Sequence, residues 1–310
     1  MRNTPMLQRM LQVAALLSAW PLGSTAQPTS IPDFAGIWGR NWFFLEPPFS
    51  GVGPVGSKRK LPDGREDIQG ASFVVIGDDA NPILTPRAAE ALRRRAAISR
   101  NGAAPDPHNQ CLPEPTPYTL ALSSAIQIIQ QKDEVVIIQV PDQKVRHIKM
   151  NVPHPAHVVP TWQGDSVGHY EGDTLVIDTI GQKAGPLSVI DPYGTPFSEK
   201  LHVIERYRLI DGVAARDAQV KNDARYFPAG VASFLTNEYG RGSIDPDTNK
   251  PGLQVEITVE DPVMFTTPWS ALVTWRHVPG EWPEAICAEN TREYYANRNT
   301  GIPTADKPDF

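Results

Sequence analysis

The sequence predicts a mainly β domain: an antiparallel meander closed into a barrel or strongly curled sheet, with one short helix and long loops. Two observations carry this. Runs rich in β-branched residues recur from residue 125 to residue 277, and short turn segments of the kind that join antiparallel neighbours separate many of them. Helical start and stop signals occur together at one place. A sheet of about eight to ten strands then hides its edges best by closing on itself.

In chain order, residues 27–33 read as a loose arm and residues 33–40 as a first strand with aromatic packing. Residues 46–68 are rich in Pro, Gly and charge, and read as a long surface loop. Thr85 is a good N-cap and Pro86 suits a first helical turn, so a helix is expected from there to Ser99, stopped by Asn101-Gly102. Its arginines read as a solvated face. Strands are expected at 125–130, 134–140, 144–150, 166–170, 174–179, 201–209, 253–260 and 271–277, with Asp211-Gly212 as a turn. Residues 213–252 do not fit a meander. A connection of that length is either a lid over a site or a decorated surface loop.

The first residues concern compartment. Arg2 and Arg9 precede an apolar run from Met10 to Leu22, and Ser24-Thr25-Ala26 offers the small residues that a signal peptidase accommodates. The run is shorter than the roughly 20 residues needed to span hydrocarbon, and Gln12 and Pro21 interrupt it. Residues 1–26 are therefore expected to be a cleaved signal peptide, and 27–310 a single periplasmic or secreted β-barrel-like domain. In an oxidising compartment Cys111 and Cys287 are expected to form one disulfide, the alternative being two buried thiols. The net charge of −6 argues against nucleic acid and against an anionic membrane surface as partners. The expected partner is a small molecule.

Several motifs together resemble a large family of secreted bacterial proteins of unassigned function. They are Gly36-Ile37-Trp38, Trp162 with Gly164, the segment Ser166-Val167-Gly168-His169-Tyr170-Glu171-Gly172-Asp173-Thr174-Leu175, His202-Val203-Ile204-Glu205-Arg206-Tyr207 and Glu260-Asp261-Pro262. Cys111-Leu112-Pro113 and Cys287 belong to the same set. The resemblance spans most of the mature chain, departs from the family at 213–252, and transfers no functional residue. Gly36-Ile37-Trp38 is also similar to the first strand of lipocalin-like (calycin-like) barrels.

For chemistry, Glu205 stands out. Alternation along 201–209 puts it on the face of Leu201, Val203, Tyr207 and Leu209, where burial would raise its pKa toward values useful to an acid or base. The other reading, which can coexist with the first, is an internal ion pair with an arginine such as Arg40 or Arg146. His169 and His202 are the candidate partners in catalysis, and Trp38, Arg40, Arg146, Trp162, Tyr207, Trp275 and His277 the candidate lining of a ligand site. His154, His157 and His169 would be the ligands of a metal, if one is held. Nucleotide-binding fingerprints, a haem-attachment motif and a Gly-x-Ser-x-Gly elbow are missing, so no cofactor is expected. The leading expectation is a cofactor-independent enzyme, a lyase or isomerase, acting on a small hydrophobic or aromatic molecule. A non-catalytic lipocalin-like binding protein of the envelope and a His-ligated metalloenzyme are the alternatives.

Overall fold

The computed structural model of the chain describes residues 31–40, 44–67, 75–99, 104–122, 125–139, 144–185, 187–227 and 245–279. The expected signal peptide and Cys287 lie outside the described residues. Nine strands among those described form one closed barrel in chain order. They are β1 (Gly36–Gly39), β2 (Ile126–Gln130), β3 (Glu134–Gln139), β4 (Lys144–Met150), β5 (Asp165–Glu171), β6 (Thr174–Ile180), β7 (His202–Ile210), β8 (Gly252–Glu260) and β9 (Trp269–His277). Closure runs between β1 and β9, with Trp38 opposite His277.

The barrel departs from a pure meander at one seam. β4 and β5 are parallel, with Ile148 opposite Ser166 and Met150 opposite Gly168. The connection 151–164 is too long for a hairpin, carries Pro153, Pro155 and Pro160, and returns the chain to the end at which β4 began. Gly168 permits the close fit there. A Cβ on it would stand 2.9 Å from both Ile148 Cγ2 and Met150 Sδ.

Among the described residues three α-helices accompany the barrel, where one was expected: α1 (Pro86–Ser99), the short α2 (Tyr118–Ala121) and α3 (Gly212–Asp223). Thr85 caps α1 as its sequence predicts, Oγ1 accepting the Ala88 N–H at 3.3 Å. Ala88, Leu92, Ala96 and Ser99 form the buried side of α1. The Asp211-Gly212 pair is a helix start and not a plain turn, because the Asp211 carboxylate accepts the Val213 and Ala214 N–H groups at 2.9 and 3.0 Å. The expected long connection 213–252 is thus partly helix. α3 lies on β8 and β9. Gly252 makes this possible, since a Cβ on it would collide with Ala215 of the helix.

Inside the barrel, strand alternation places every second side chain in the core. Arg146, Ile148 and Met150 of β4, Val203, Glu205 and Tyr207 of β7, and Leu253, Val255, Ile257 and Val259 of β8 are all buried. Trp269 and Trp275 of β9 complete this interior and are among its largest fully buried side chains.

Candidate functional site

The barrel interior holds a polar network centred on Arg146 and Glu205. Arg146 Nη1 and Nη2 donate to the two carboxylate oxygens of Glu205 at 3.0 and 2.6 Å. Nε donates to Ser166 Oγ at 3.0 Å, and Nη2 also donates to Thr179 Oγ1 at 2.6 Å. The Tyr207 hydroxyl donates to Glu205 Oε2 at 2.6 Å. Burial would lower the pKa of Arg146, but the facing carboxylate more than offsets this and raises it. Burial and the Glu205 charge push the Tyr207 hydroxyl well above its ordinary range. Glu205 is fully buried, and both oxygens are already occupied. Of the two alternatives open in the sequence, the arrangement is that of an internal ion pair, with Arg146 and not Arg40 as its partner.

The expected catalytic trio is not assembled. His169 and His202 stand on the outer wall, because each is an odd number of strand positions away from inward-facing neighbours. His169 is exposed and contacts Glu171 at 3.1 Å. His202 Nε2 meets Asp178 Oδ1 at 2.9 Å, and its hydrogen bond to Asp178 raises its pKa against partial burial. The expected lining is scattered as well. Arg40 is buried outside this network, donating to the Leu120 and Phe44 carbonyls at 2.8 Å and standing 3.5 Å from Glu46. Trp38 and His277 meet edge to face at the β1–β9 closure, with ring centroids 6.0 Å apart. Trp162 is half-buried, under the Lys183 ammonium. Tyr207 and Trp275 are in the core, where the Trp275 and Trp269 indole N–H groups find no acceptor among the described residues.

The three candidate metal ligands do not converge either. His154 Nδ1 and Nε2 face Asp165 at 2.7 Å and Asp178 at 3.1 Å, while His157 is exposed. Among the described residues, no group of three or more His, Cys, Asp or Glu side chains is arranged to hold a metal ion. What the outer wall does carry is a ladder, Asp165–His154–Asp178–His202, crossing from β5 to β7. Sequence reading missed it because the connection that bears His154 folds back over the sheet. A second unforeseen cluster is buried Glu114, with His108 Nδ1 at 2.7 Å and the Lys144 ammonium beside it. Burial alone would raise this carboxyl, yet the two cationic partners bring it down to about 2.

An open concavity lies elsewhere. A cleft of about 910 Å³ sits between α1, the β6–β7 connection and the β8–β9 turn. None of its lining residues is on a strand; it is built on the rim, at the end where β7 enters beside the exit of β8. Leu187, Val189, Phe197 and Met264 give it apolar walls, and Arg87, Arg94 and Arg95 come from the helix. Part of the arginine face that the sequence suggests is solvated therefore lines a cleft. The volume lies within the range of small-molecule sites, about 300–1,000 Å³.

Asp191 lies in the β6–β7 connection, in sequence between the lining residues Val189 and Gly194. It is buried, its Oδ1 accepting the Thr195 N–H at 3.0 Å, and burial pushes its carboxyl up to about 6. A folded-state pKa above the unfolded value means that the ionised form costs stability. That cost sets in as pH rises from about 4 to about 6 and persists above. Asp191→Asn is expected to stabilise the fold by about 1–3 kcal/mol above that window and by little below it. Urea unfolding of both proteins on either side of the window checks this. An equal difference at both pH values would contradict it.

Comparison of the chain with protein-family models, with curated proteins and with solved structures gives no match.

Proposed function

We propose that this chain is an exported envelope protein that binds a small molecule in the rim cleft and returns it chemically unchanged. The observation that carries the reading is the cleft itself: an open space of about 910 Å³ with apolar walls and basic side chains on a capped, well-packed helix. The chemistry expected at Glu205 lacks comparable support. Its carboxylate has no oxygen left to take or give a proton to a substrate, and the histidines expected to assist it are outside the barrel. A lyase or isomerase reading would need that network to open. The binding reading keeps the carrier function but moves it from the barrel interior to the rim.

Export, cleavage after Ala26 and a Cys111–Cys287 disulfide belong to the same proposal, supported by the leader's charge and hydropathy pattern and by the even cysteine pair. The denatured mass of protein recovered from the periplasm tests them. It should equal that of residues 27–310 less two hydrogens.

The binding claim is tested with anilinonaphthalene sulfonate, whose fluorescence rises in apolar surroundings. Wild-type protein should bind it at one saturable site in the micromolar range. Ala91→Trp, which fills the cleft from the exposed side of α1, should remove that binding while leaving the circular dichroism unchanged. Unchanged binding in Ala91→Trp would rule out the cleft as the site.

A further inference from the structure

The geometry points to a ligand class: we infer that the cleft takes a molecule with an anionic head and an apolar body. This rests on the binding reading above and adds the chemistry of what is bound.

α1 presents Arg87, Ala91, Arg94, Arg95 and Ile98 to the cleft. These positions fall at i, i+4, i+7, i+8 and i+11, a single face of a helix with about 3.6 residues per turn. Lys200 joins them from the β6–β7 connection, and Glu199 is the one acidic lining residue. Four basic groups against one acidic group is the reverse of the whole chain, whose net charge is −6. The cleft is thus a local positive field on an acidic molecule.

The pairing of these charges sharpens the inference. On the side of α1 turned away from the cleft, Arg93 is matched: it donates to Glu90 at 3.0 Å and stands 3.6 Å from Asp79. Arg95 is matched too, donating to the Pro105 carbonyl at 2.6 Å and to Asp106 at 3.1 Å, and it acts as a fixed floor. The side chains of Arg87, Arg94 and Lys200 make no hydrogen bond or ion pair among the described residues. Positive charge is neutralised on the far side of α1 and at the cleft's floor, and left unneutralised at its mouth by Arg87, Arg94 and Lys200. Like charges gathered this way repel, and a bound anion relieves the repulsion. The guanidinium fork favours planar or tetrahedral oxyanions such as carboxylate, sulfonate or phosphate. Behind the cations, Phe197 and Met264 are buried and Leu187 and Val263 half-buried. This apolar wall is where the body of the ligand would lie.

Two probes of nearly the same shape separate charge from shape: anilinonaphthalene sulfonate and its uncharged parent, phenylnaphthylamine. The sulfonate should bind about tenfold more tightly, and lose affinity as salt is raised. Arg87→Gln and Arg94→Gln should each weaken sulfonate binding about three- to fivefold and change binding of the parent little, as befits half-exposed ion pairs. Arg93→Gln, on the matched side, should change neither. All three arginines are at the helix surface, so folding is preserved. If both probes bind alike and both are lost in Ala91→Trp, the cleft binds but is not anion-selective, and the inference is overturned while the binding reading stands. If neither probe shows binding that Ala91→Trp removes, the binding reading fails and the inference with it. Sulfonate binding that survives Ala91→Trp would mean capture by arginines outside the cleft, and would overturn the inference.

Discussion

Arg146→Met is expected to lower the stability of the barrel by about 3–5 kcal/mol at neutral pH. The substitution keeps much of the side chain's apolar volume but leaves the Glu205 carboxylate in the core with the Tyr207 hydroxyl as its remaining donor. Ser166 and Thr179 lose their shared partner as well. An unpaired buried carboxylate escapes the penalty by taking a proton, so its pKa rises in the variant. The loss should therefore grow as pH rises above the ordinary Glu range and shrink as pH falls toward it. Adding Glu205→Leu should restore most of the stability, because removing both ends of a buried pair costs far less than removing one. Urea midpoints of the single and double variants at acid and neutral pH measure this. A single variant within about 1 kcal/mol of wild type would show that Glu205 reaches water and would reopen the acid–base reading.

Trp275→Ala is expected to cost a further large amount, about 3–5 kcal/mol, through the cavity left by a fully buried indole on β9. For a domain of this size that corresponds to a fall in Tm on the order of 10 °C. Trp275→Phe should be much milder. It retains most of the buried area and also removes an indole N–H that lacks an acceptor among the described residues. Thermal unfolding of the two variants decides between core and ligand wall. Were Trp275 the wall of a ligand cavity, its truncation would leave stability nearly unchanged.

Strands with one buried face were legible because alternation is a local property. β4 is recovered residue for residue, and β7 shows Val203, Glu205 and Tyr207 inside with His202, Arg206 and Arg208 outside, as its pattern implies. The same pattern places the histidines on the wrong side of the wall for catalysis, which follows once the register of β7 is fixed. α3 escaped because its buried face is small and polar. Gly212, Ala215, Gln219 and Asn222 face the barrel, while Val213 and Val220 are exposed. Hydrophobic periodicity therefore points the wrong way, and the Asp211 cap resembles a turn. The parallel β4–β5 seam depends on how the connection 151–164 travels, which no local pattern states.

The candidate site divides along the same line. Glu205 was visible, since one strand suffices to place it inside. Its pairing with Arg146 instead of Arg40 needed the closed barrel. The cleft was invisible, because α1, the β6–β7 connection and the β8–β9 turn are far apart in the sequence and meet only at the rim. One part of it is legible in the chain: Arg87, Ala91, Arg94, Arg95 and Ile98 share a helical face, and α1 carries a single acidic residue, Glu90, against four arginines.

Amide chemical-shift changes, mapped as anilinonaphthalene sulfonate is added to the isotope-labelled protein, show where a ligand sits. Saturable shifts are expected to be confined to 87–98, 184–200 and 263–264, with β4 and β7 unmoved. Shifts centred instead on Arg146, Glu205, Tyr207 and Trp275 would place the ligand inside the barrel and contradict binding in the rim cleft.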